Sequence, residues 1–364
     1  MRRERKVKKI LFFRIGQLGD TIVSIPCIQF FREQFPGASF VLMSDRIVGQ
    51  KYVLAKEIFE NTSLFSDYVF YRKSRDGDFH WRDKLAMLAV VPRLLAKRFD
   101  AVVYLAPSLR TRQQVARDRS FFRLMGISRL WGFQRNPRSE SPNVHEAEWL
   151  LAQFKNDGFA VPQSANGKMD LMISRAEQVF AESWINEHLP NRNGRLVVGF
   201  APGSKMPAKR WRIDNFWQVG HQLIKKYDIW PLVFGDASDR KAGETLIKSW
   251  KRGCNAAGEL SIRQSSALLQ KCDLYIGNDT GTMHLAAAVN TPCVAIFSAR
   301  DLPGKWEPLG RGHAVLRHEV KCQGCMATAC DDKICLMLIR PEDVAAEAEK
   351  IIQRLLTKKK SHAD

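Results

Sequence analysis

The stretch Asp273-Leu274-Tyr275-Ile276-Gly277-Asn278-Asp279-Thr280-Gly281-Thr282-Met283-His284-Leu285-Ala286-Ala287-Ala288 runs from apolar residues through a Gly/Asn/Asp/Thr cluster into an alanine-rich segment. That order predicts a buried strand, a tight turn and a helix. Gly277 and Gly281 are expected to let the backbone turn sharply and approach a bound group. The helix begins with free N–H groups aimed at the loop, an anion site with the positive end of a dipole behind it. A carboxylate next to a bound phosphate needs another task, such as holding a sugar hydroxyl, and Asp279 is placed for one. Taken alone, the loop is equally consistent with Asp279 and Thr280 serving only as a helix cap.

Working outward, 364 residues suffice for two domains, each with its own core. Hydrophobic residues make up 45% and charged residues 26%, the balance of a globular protein. The formal net charge of +19 favours an anionic partner: nucleic acid, a membrane surface, or a phosphorylated or carboxylated substrate. No apolar run approaches the ~20 residues that span a bilayer. The apolar run at 10–13 is cut by Arg14, which argues against a signal peptide. A cytoplasmic location is therefore expected, with the eight cysteines reduced. Cys27, Cys254, Cys272 and Cys293 have apolar neighbours and are expected to be core thiols.

Along the chain, a strand is expected over 8–14, a helix over 21–34 and a second strand over 39–43. This is the opening of a doubly wound α/β domain. Another buried strand follows at 101–106. Beyond it comes a basic run, Arg110, Arg112, Arg117, Arg119, Arg123, Arg129 and Arg135, interleaved with Phe121, Phe122, Trp131 and Phe133. Lys73, Arg75 and Arg82 extend it. Charge runs are usually solvated helix faces, but so much arginine also suits a surface that forks onto phosphate or carboxylate. Pro190-Asn191-Arg192-Asn193-Gly194 marks the domain change. The expected divisions are 1–190, 195–340, and a terminal helix with a basic tail at 341–364. In the second half, strands at 196–201, 230–234 and 291–298 alternate with helices.

Three loops of the second half follow strands and should converge on one sheet edge. The first, Pro202-Gly203-Ser204-Lys205-Met206-Pro207-Ala208-Lys209-Arg210-Trp211, brings cations and a hydroxyl. Gly235-Asp236-Ala237-Ser238-Asp239 brings carboxylates, and the quoted stretch brings a helix N-terminus. Cations and backbone donors suit a diphosphate, and carboxylates suit a ribose. Together they describe a nucleotide-diphosphate pocket without a Walker lysine or a dinucleotide fingerprint. His284 either orients a phosphate or is a satisfied helix histidine. In the first half Asp20 either caps a helix or stands at the carboxyl edge of the first strand, where open α/β sheets bind ligands.

Arg14-Ile15-Gly16-Gln17-Leu18-Gly19-Asp20 paired with Gly277-Asn278-Asp279-Thr280-Gly281-Thr282-Met283-His284-Leu285-Ala286-Ala287 resembles glycosyltransferase family 9, the ADP-heptose:lipopolysaccharide heptosyltransferases. The resemblance extends over about 8–356. It implies a GT-B fold, two Rossmann-like domains facing a cleft, with the last helix returning to the first domain. It implies an inverting transfer that needs no catalytic metal, with ADP-heptose as donor. Matched residue by residue, Asp20 takes the place of the general base and Lys209 that of the diphosphate-binding lysine. Asp279, Thr280 and Gly281 match the donor loop, Asp239 stands near the ribose-binding acid, and Ser204 is a second phosphate ligand. The implied acceptor is an inner core on phosphorylated lipid A. Arg110, Arg112, Arg117 and Arg123 are the residues expected to meet this anionic glycolipid, at the inner face of the inner membrane.

Cys322, Cys325, Cys330 and Cys335 precede the last helix, a spacing suited to a structural Zn or Fe site. Such clusters also occur in the family. The site is expected to be remote from the chemistry. Two other readings stand beside the heptosyltransferase: the same chemistry on a protein or another glycan, and a nucleic-acid-binding protein. The last would account for the charge but lacks binding modules and leaves the pocket loops without a purpose.

Overall fold

The computed structural model describes residues 6–48, 52–74, 81–136, 143–165, 169–190, 192 and 194–360. Arg75, the side chain of Arg82, two linker residues (Asn191 and Asn193) and the end of the basic tail lie outside the described residues. The chain divides into two compact units, 1–168 and 169–364.

The first unit runs β1 (Lys9–Arg14), α1 (Leu18–Ile22), α2 (Ile25–Gln34), β2 (Ser39–Ile47), α3 (Ala55–Phe59), β3 (Asp67–Lys73), α4 (Trp81–Lys97), β4 (Ala101–Tyr104), α5 (Arg112–Leu124), β5 (Arg129–Trp131) and α6 (Glu146–Gln153). Its sheet is parallel, in the order β3-β2-β1-β4-β5. A central parallel strand is covered on both faces, which is why β1 reads as an unbroken apolar run and buries Ile10 to Phe13. The single helix expected over 21–34 is two, because Pro26 has no N–H to give and its ring crowds the carbonyl four residues earlier.

The second unit runs α7 (Arg175–His188), β6 (Val197–Ala201), α8 (Ile213–Tyr227), β7 (Trp230–Val233), α9 (Arg240–Trp250), β8 (Cys254–Asn255), α10 (Ile262–Gln270), β9 (Leu274–Asn278), α11 (Gly281–Ala288), β10 (Cys293–Ile296), β11 (Ala314–Leu316), α12 (Ile334–Met337) and α13 (Pro341–Lys360). Its parallel sheet has the order β11-β10-β9-β6-β7-β8. Each sheet reverses its winding beside its first strand, between β1 and β4 and between β6 and β9. Those are the switch points at which doubly wound sheets bind ligands.

Two boundary expectations are corrected. The division precedes the Pro190–Gly194 linker, so α7 belongs to the second unit. The reason is Arg263, a fully buried guanidinium on α10 that donates to both Glu177 oxygens at 2.8 and 2.6 Å and to the Leu171 carbonyl at 2.6 Å. The terminal helix, expected to return to the first domain, is packed in the second unit. Val344, Ala345, Ala348, Ile351 and Ile352 share one core with β6, β9 and β10, and Glu349 accepts from Lys226 of α8 at 2.6 Å.

Candidate functional site

At the switch point of the second unit, β9 ends in Asn278, whose side chain ties down both ends of the 202–211 loop. Its amide nitrogen donates to the Pro202 carbonyl at 2.7 Å, and its oxygen accepts from the Trp211 N–H at 3.2 Å. This brings the 202–211 loop against Asp279, which is buried. The Lys209 ammonium lies between two carboxylates, 2.5 Å from Asp279 and 3.0 Å from Asp301. Asp301 also pairs with Arg300 at 2.8 Å, and Arg317 donates to the Asp301 and Ser298 carbonyls at 2.7 and 3.1 Å.

Burial pulls the Lys209 ammonium toward a lower pKa, but the two carboxylates overcome it and its pKa is raised. For Asp279, burial is the larger influence and raises the carboxyl against the pull of Lys209. Asp301 is held below the usual range because Lys209 and Arg300 together outweigh its burial. Three cations thus surround two carboxylates. The surplus positive charge, beside the α11 N-terminus, where Thr280 stands at the N-cap position without a side-chain capping bond, suits an anion.

The remaining donor residues are distributed around this centre. Ser204 is buried, its hydroxyl accepting from the Met206 N–H at 3.2 Å. Asp239 accepts from the Asp236 N–H at 3.0 Å, and a side chain at Gly203 or Gly235 would collide with it. These glycines give the carboxylate its seat. Gly281 opens α11, and His284 is buried with its ring edge-on to Trp306. Gly277 departs from its expected role. It sits inside β9, in register with Ala201 and Ala295, where a Cβ would strike the Tyr275 hydroxyl. Its small size serves packing, not a turn.

In the first unit, Asp20 lies in the loop and short helix after β1. Its carboxylate accepts from the Gln17 N–H at 2.8 Å and lies 3.8 Å from the fully buried Arg14 guanidinium. Burial raises the Asp20 pKa, while Arg14 and the Gln17 N–H oppose the rise. Gly16 has φ +117°, and a Cβ there would stand 2.7 Å from the Asp20 carboxylate. Tyr52 holds the same loop, donating to Asp45 at 2.9 Å and to the Gly16 carbonyl.

The four acceptor arginines are not equivalent. Arg110 and Arg117 both engage the buried carboxylate of Asp118, which also accepts from the Tyr104 hydroxyl at 2.8 Å. Arg112 and Arg123 are exposed on α5. The interleaved aromatics face inward: Phe122 and Phe133 are buried, Phe122 edge-on to Phe13, while the half-buried Trp131 stacks on Phe31.

Cys322, Cys325, Cys330 and Cys335 line one cavity of about 70 Å³. Lys333, with φ +43°, directs its N–H to the Cys330 sulfur at 3.4 Å. Among the described residues no three or more His, Cys, Asp or Glu side chains stand together as a metal-binding group. The expected remoteness from the site is corrected. Ala208 and Arg300, chain neighbours of Lys209 and Asp301, line the same cavity. The Ala208 N–H donates to Thr328 at 3.1 Å, and Arg300 donates to Ala327 at 2.8 Å. The loop forms a wall behind the lysine and its carboxylates.

Sequence reasoning missed Asp301, Arg300 and Arg317. Asp301 follows the strand expected at 291–298, so the strand-end rule that selected the other loops would have reached it. No helix among the described residues is long and apolar enough to cross a membrane.

Compared with known proteins, residues 123–335 match the family model of glycosyltransferase family 9 (heptosyltransferase). A stretch of 132 residues, 34% of this chain, is 35% identical to lipopolysaccharide heptosyltransferase 2 of Escherichia coli K12 and spans 36% of that relative's length. The fold is the GT-B fold seen in the structure of E. coli ADP-heptose lps heptosyltransferase II. That likeness has a TM-score of 0.71 at 21% identity over 95% of this chain and 99% of the other. E. coli heptosyltransferase WaaC with ADP-2-deoxy-2-fluoro heptose is similar with a TM-score of 0.63 at 18% identity over 94% and 99%. With more than half its length matched by the family model, the chain belongs to glycosyltransferase family 9.

Proposed function

We propose that the chain moves a heptose from ADP-heptose to a lipopolysaccharide inner-core acceptor at the inner face of the inner membrane. The observation that carries this reading is the Lys209 ammonium between Asp279 and Asp301 beside the α11 N-terminus, in a family 9 chain. An ammonium, guanidinium groups and helix N–H donors suit a diphosphate leaving group. Asp279 and Asp239 suit the hydroxyls of the ribose, and Ser204 and His284 the phosphate oxygens. The relative is named a lipopolysaccharide heptosyltransferase, and the WaaC structure carries a fluorinated ADP-heptose.

In this reading Asp20 takes the proton of an acceptor hydroxyl as that oxygen attacks the anomeric carbon. The bond from that carbon to the diphosphate oxygen breaks, and its electron pair leaves with ADP. The displacement inverts the anomeric centre and needs no metal. Burial keeps Asp20 more basic than an exposed aspartate, while Arg14 keeps it ionised. Arg112 and Arg123 meet the anionic acceptor, with Arg110 and Arg117 in reserve around Asp118. Cys322, Cys325, Cys330 and Cys335, which line one cavity, would have to draw together to hold one structural Zn or Fe, and that would tie the 322–335 loop to the wall behind Lys209.

Calorimetric titration with ADP-heptose, UDP-sugars and GDP-sugars tests the donor. Selective binding of ADP-heptose, reduced by Lys209→Met, is expected. Preference for a uridine or guanosine donor, or no nucleotide binding, overturns the reading. Transfer to a protein or another glycan, and not to the lipid core, would move the acceptor assignment.

A further inference from the structure

α4 packs on β3 through Met87, Val90 and Leu94, which join the core of the first unit. A surface helix with one face so buried should be polar on the other. Instead Leu85, Leu88 and Leu95 are 55%, 61% and 48% exposed, and the exposed Ala89, Pro92 and Ala96 lie between them. At 100° per residue these positions occupy one arc of roughly 120°. The helix is also basic in sequence. Over 81–98 the chain carries Arg82, Lys84, Arg93, Lys97 and Arg98 against the one acid Asp83. Asp83 is buried, accepting from the Ser74 N–H and hydroxyl at 2.8 Å, so it adds no negative charge to the outer face. Arg93 and Lys97 pair with Asp67 at 2.9 and 2.6 Å, and Arg98 is exposed beyond the helix end.

We infer that the outer face of α4 docks on the surface of an anionic lipid bilayer. A second copy of the chain is the obvious rival occupant, but a net charge of +19 opposes self-association and favours a negative surface. A basic helix with an apolar stripe lies along the headgroup boundary, leucines toward the acyl chains and cations toward the phosphates. The inference rests on the reading of a lipid-borne acceptor and names the element that brings the enzyme to it.

The test is co-sedimentation of the full chain with phosphatidylglycerol–phosphatidylethanolamine vesicles and, separately, with phosphatidylcholine vesicles. The anionic vesicles should carry the chain down and the neutral ones should not, with binding weakened in about 0.5 M salt, where the Debye length is only a few ångströms. The pair Leu88→Gln and Leu95→Gln should lower the partition about tenfold or more. Its melting temperature and ADP affinity should match the unmodified chain. Equal partition of the variant overturns the inference. So does a wild-type dimer in sedimentation equilibrium that the variant dissociates, or binding of acidic proteins without vesicles. Vesicle binding that survives when ADP-heptose is not used would keep this inference and remove the transferase reading.

Discussion

Replacing Lys209 by methionine separates the structural task of this side chain from its chemical one. The substitution keeps the aliphatic stem and removes an ammonium held at 2.5 and 3.0 Å by two buried carboxylates. Breaking a buried pair from one side typically costs about 3–5 kcal/mol, because the abandoned charge keeps its desolvation penalty. For a unit of the size of 169–364, each kcal/mol corresponds to roughly 2–4 °C, so the melting transition should fall by about 6–20 °C. Asp301 and Asp279 set the pH dependence together. The folded pKa of Asp301 is depressed, so its stabilising share is present above the unfolded value and lost as pH falls through the folded one. The gap between wild type and variant should be widest at neutral pH and narrow as pH falls, the share of Asp279 going first because burial raises its pKa and that of Asp301 last. Adding Asp301→Asn to Lys209→Met should recover about 1–3 kcal/mol, the coupling expected of groups in contact. Donor affinity should not recover, since the lost charge-assisted bonds to diphosphate correspond to about 10–100-fold. Thermal unfolding across pH and calorimetry with ADP provide the two readouts. A Lys209→Met protein as stable as wild type at pH 7, or one whose ADP affinity returns with the second substitution, refutes the reasoning.

Asp20→Asn keeps an oxygen for the Gln17 N–H but no base, so kcat should drop about 10²–10⁴-fold with ADP affinity within a few-fold, as measured by steady-state kinetics and calorimetry. Gly16→Ala pushes a methyl group into the Asp20 carboxylate and should also lower kcat, in a protein that still binds ADP. Burial would raise Glu177, but its bonds to Arg263 and Ser174 bring it to about 2 from 4.5. That corresponds to roughly 3 kcal/mol of stability, present above about pH 4.5 and lost as pH falls toward 2. Acid titration of Glu177→Gln should show a flatter decline than wild type. Cys325→Ala should lower both thermal stability and ADP affinity, because its loop backs Lys209 and Asp301. Elemental analysis of anaerobically purified protein should find one Zn or Fe per chain, and its absence would remove the metal from the account.

Legibility followed the kind of force involved. The apolar run of β1 and the strand–loop–helix order at 273–288 are local patterns, and both are present where the sequence places them. The doubly wound order followed from alternation of strand and helix. The Pro190–Gly194 turn was local too, but the division of the units depends on Arg263 reaching Glu177 across 86 positions of the chain, which no window of sequence displays. The same holds for α13, whose apolar stripe states that it packs without saying on what. Asp20, Lys209 and Asp279 each stand in a loop after a strand, as the sequence places them; Asp301 stands in the same kind of loop, after β10, and no motif drew attention to it. The arginines at 110–123 read as one anion-binding surface, yet Asp118 claims Arg110 and Arg117, because a buried carboxylate leaves nearby cations little choice.

The most direct measurement is mass spectrometry of an isolated lipopolysaccharide core lacking its terminal heptose, after incubation with the purified chain and ADP-heptose. The account predicts one added heptose per acceptor, release of an equal amount of ADP, an inverted anomeric configuration by NMR, and no product with Asp20→Asn on the same timescale. An unchanged acceptor mass, from a folded protein that binds ADP-heptose, would contradict it.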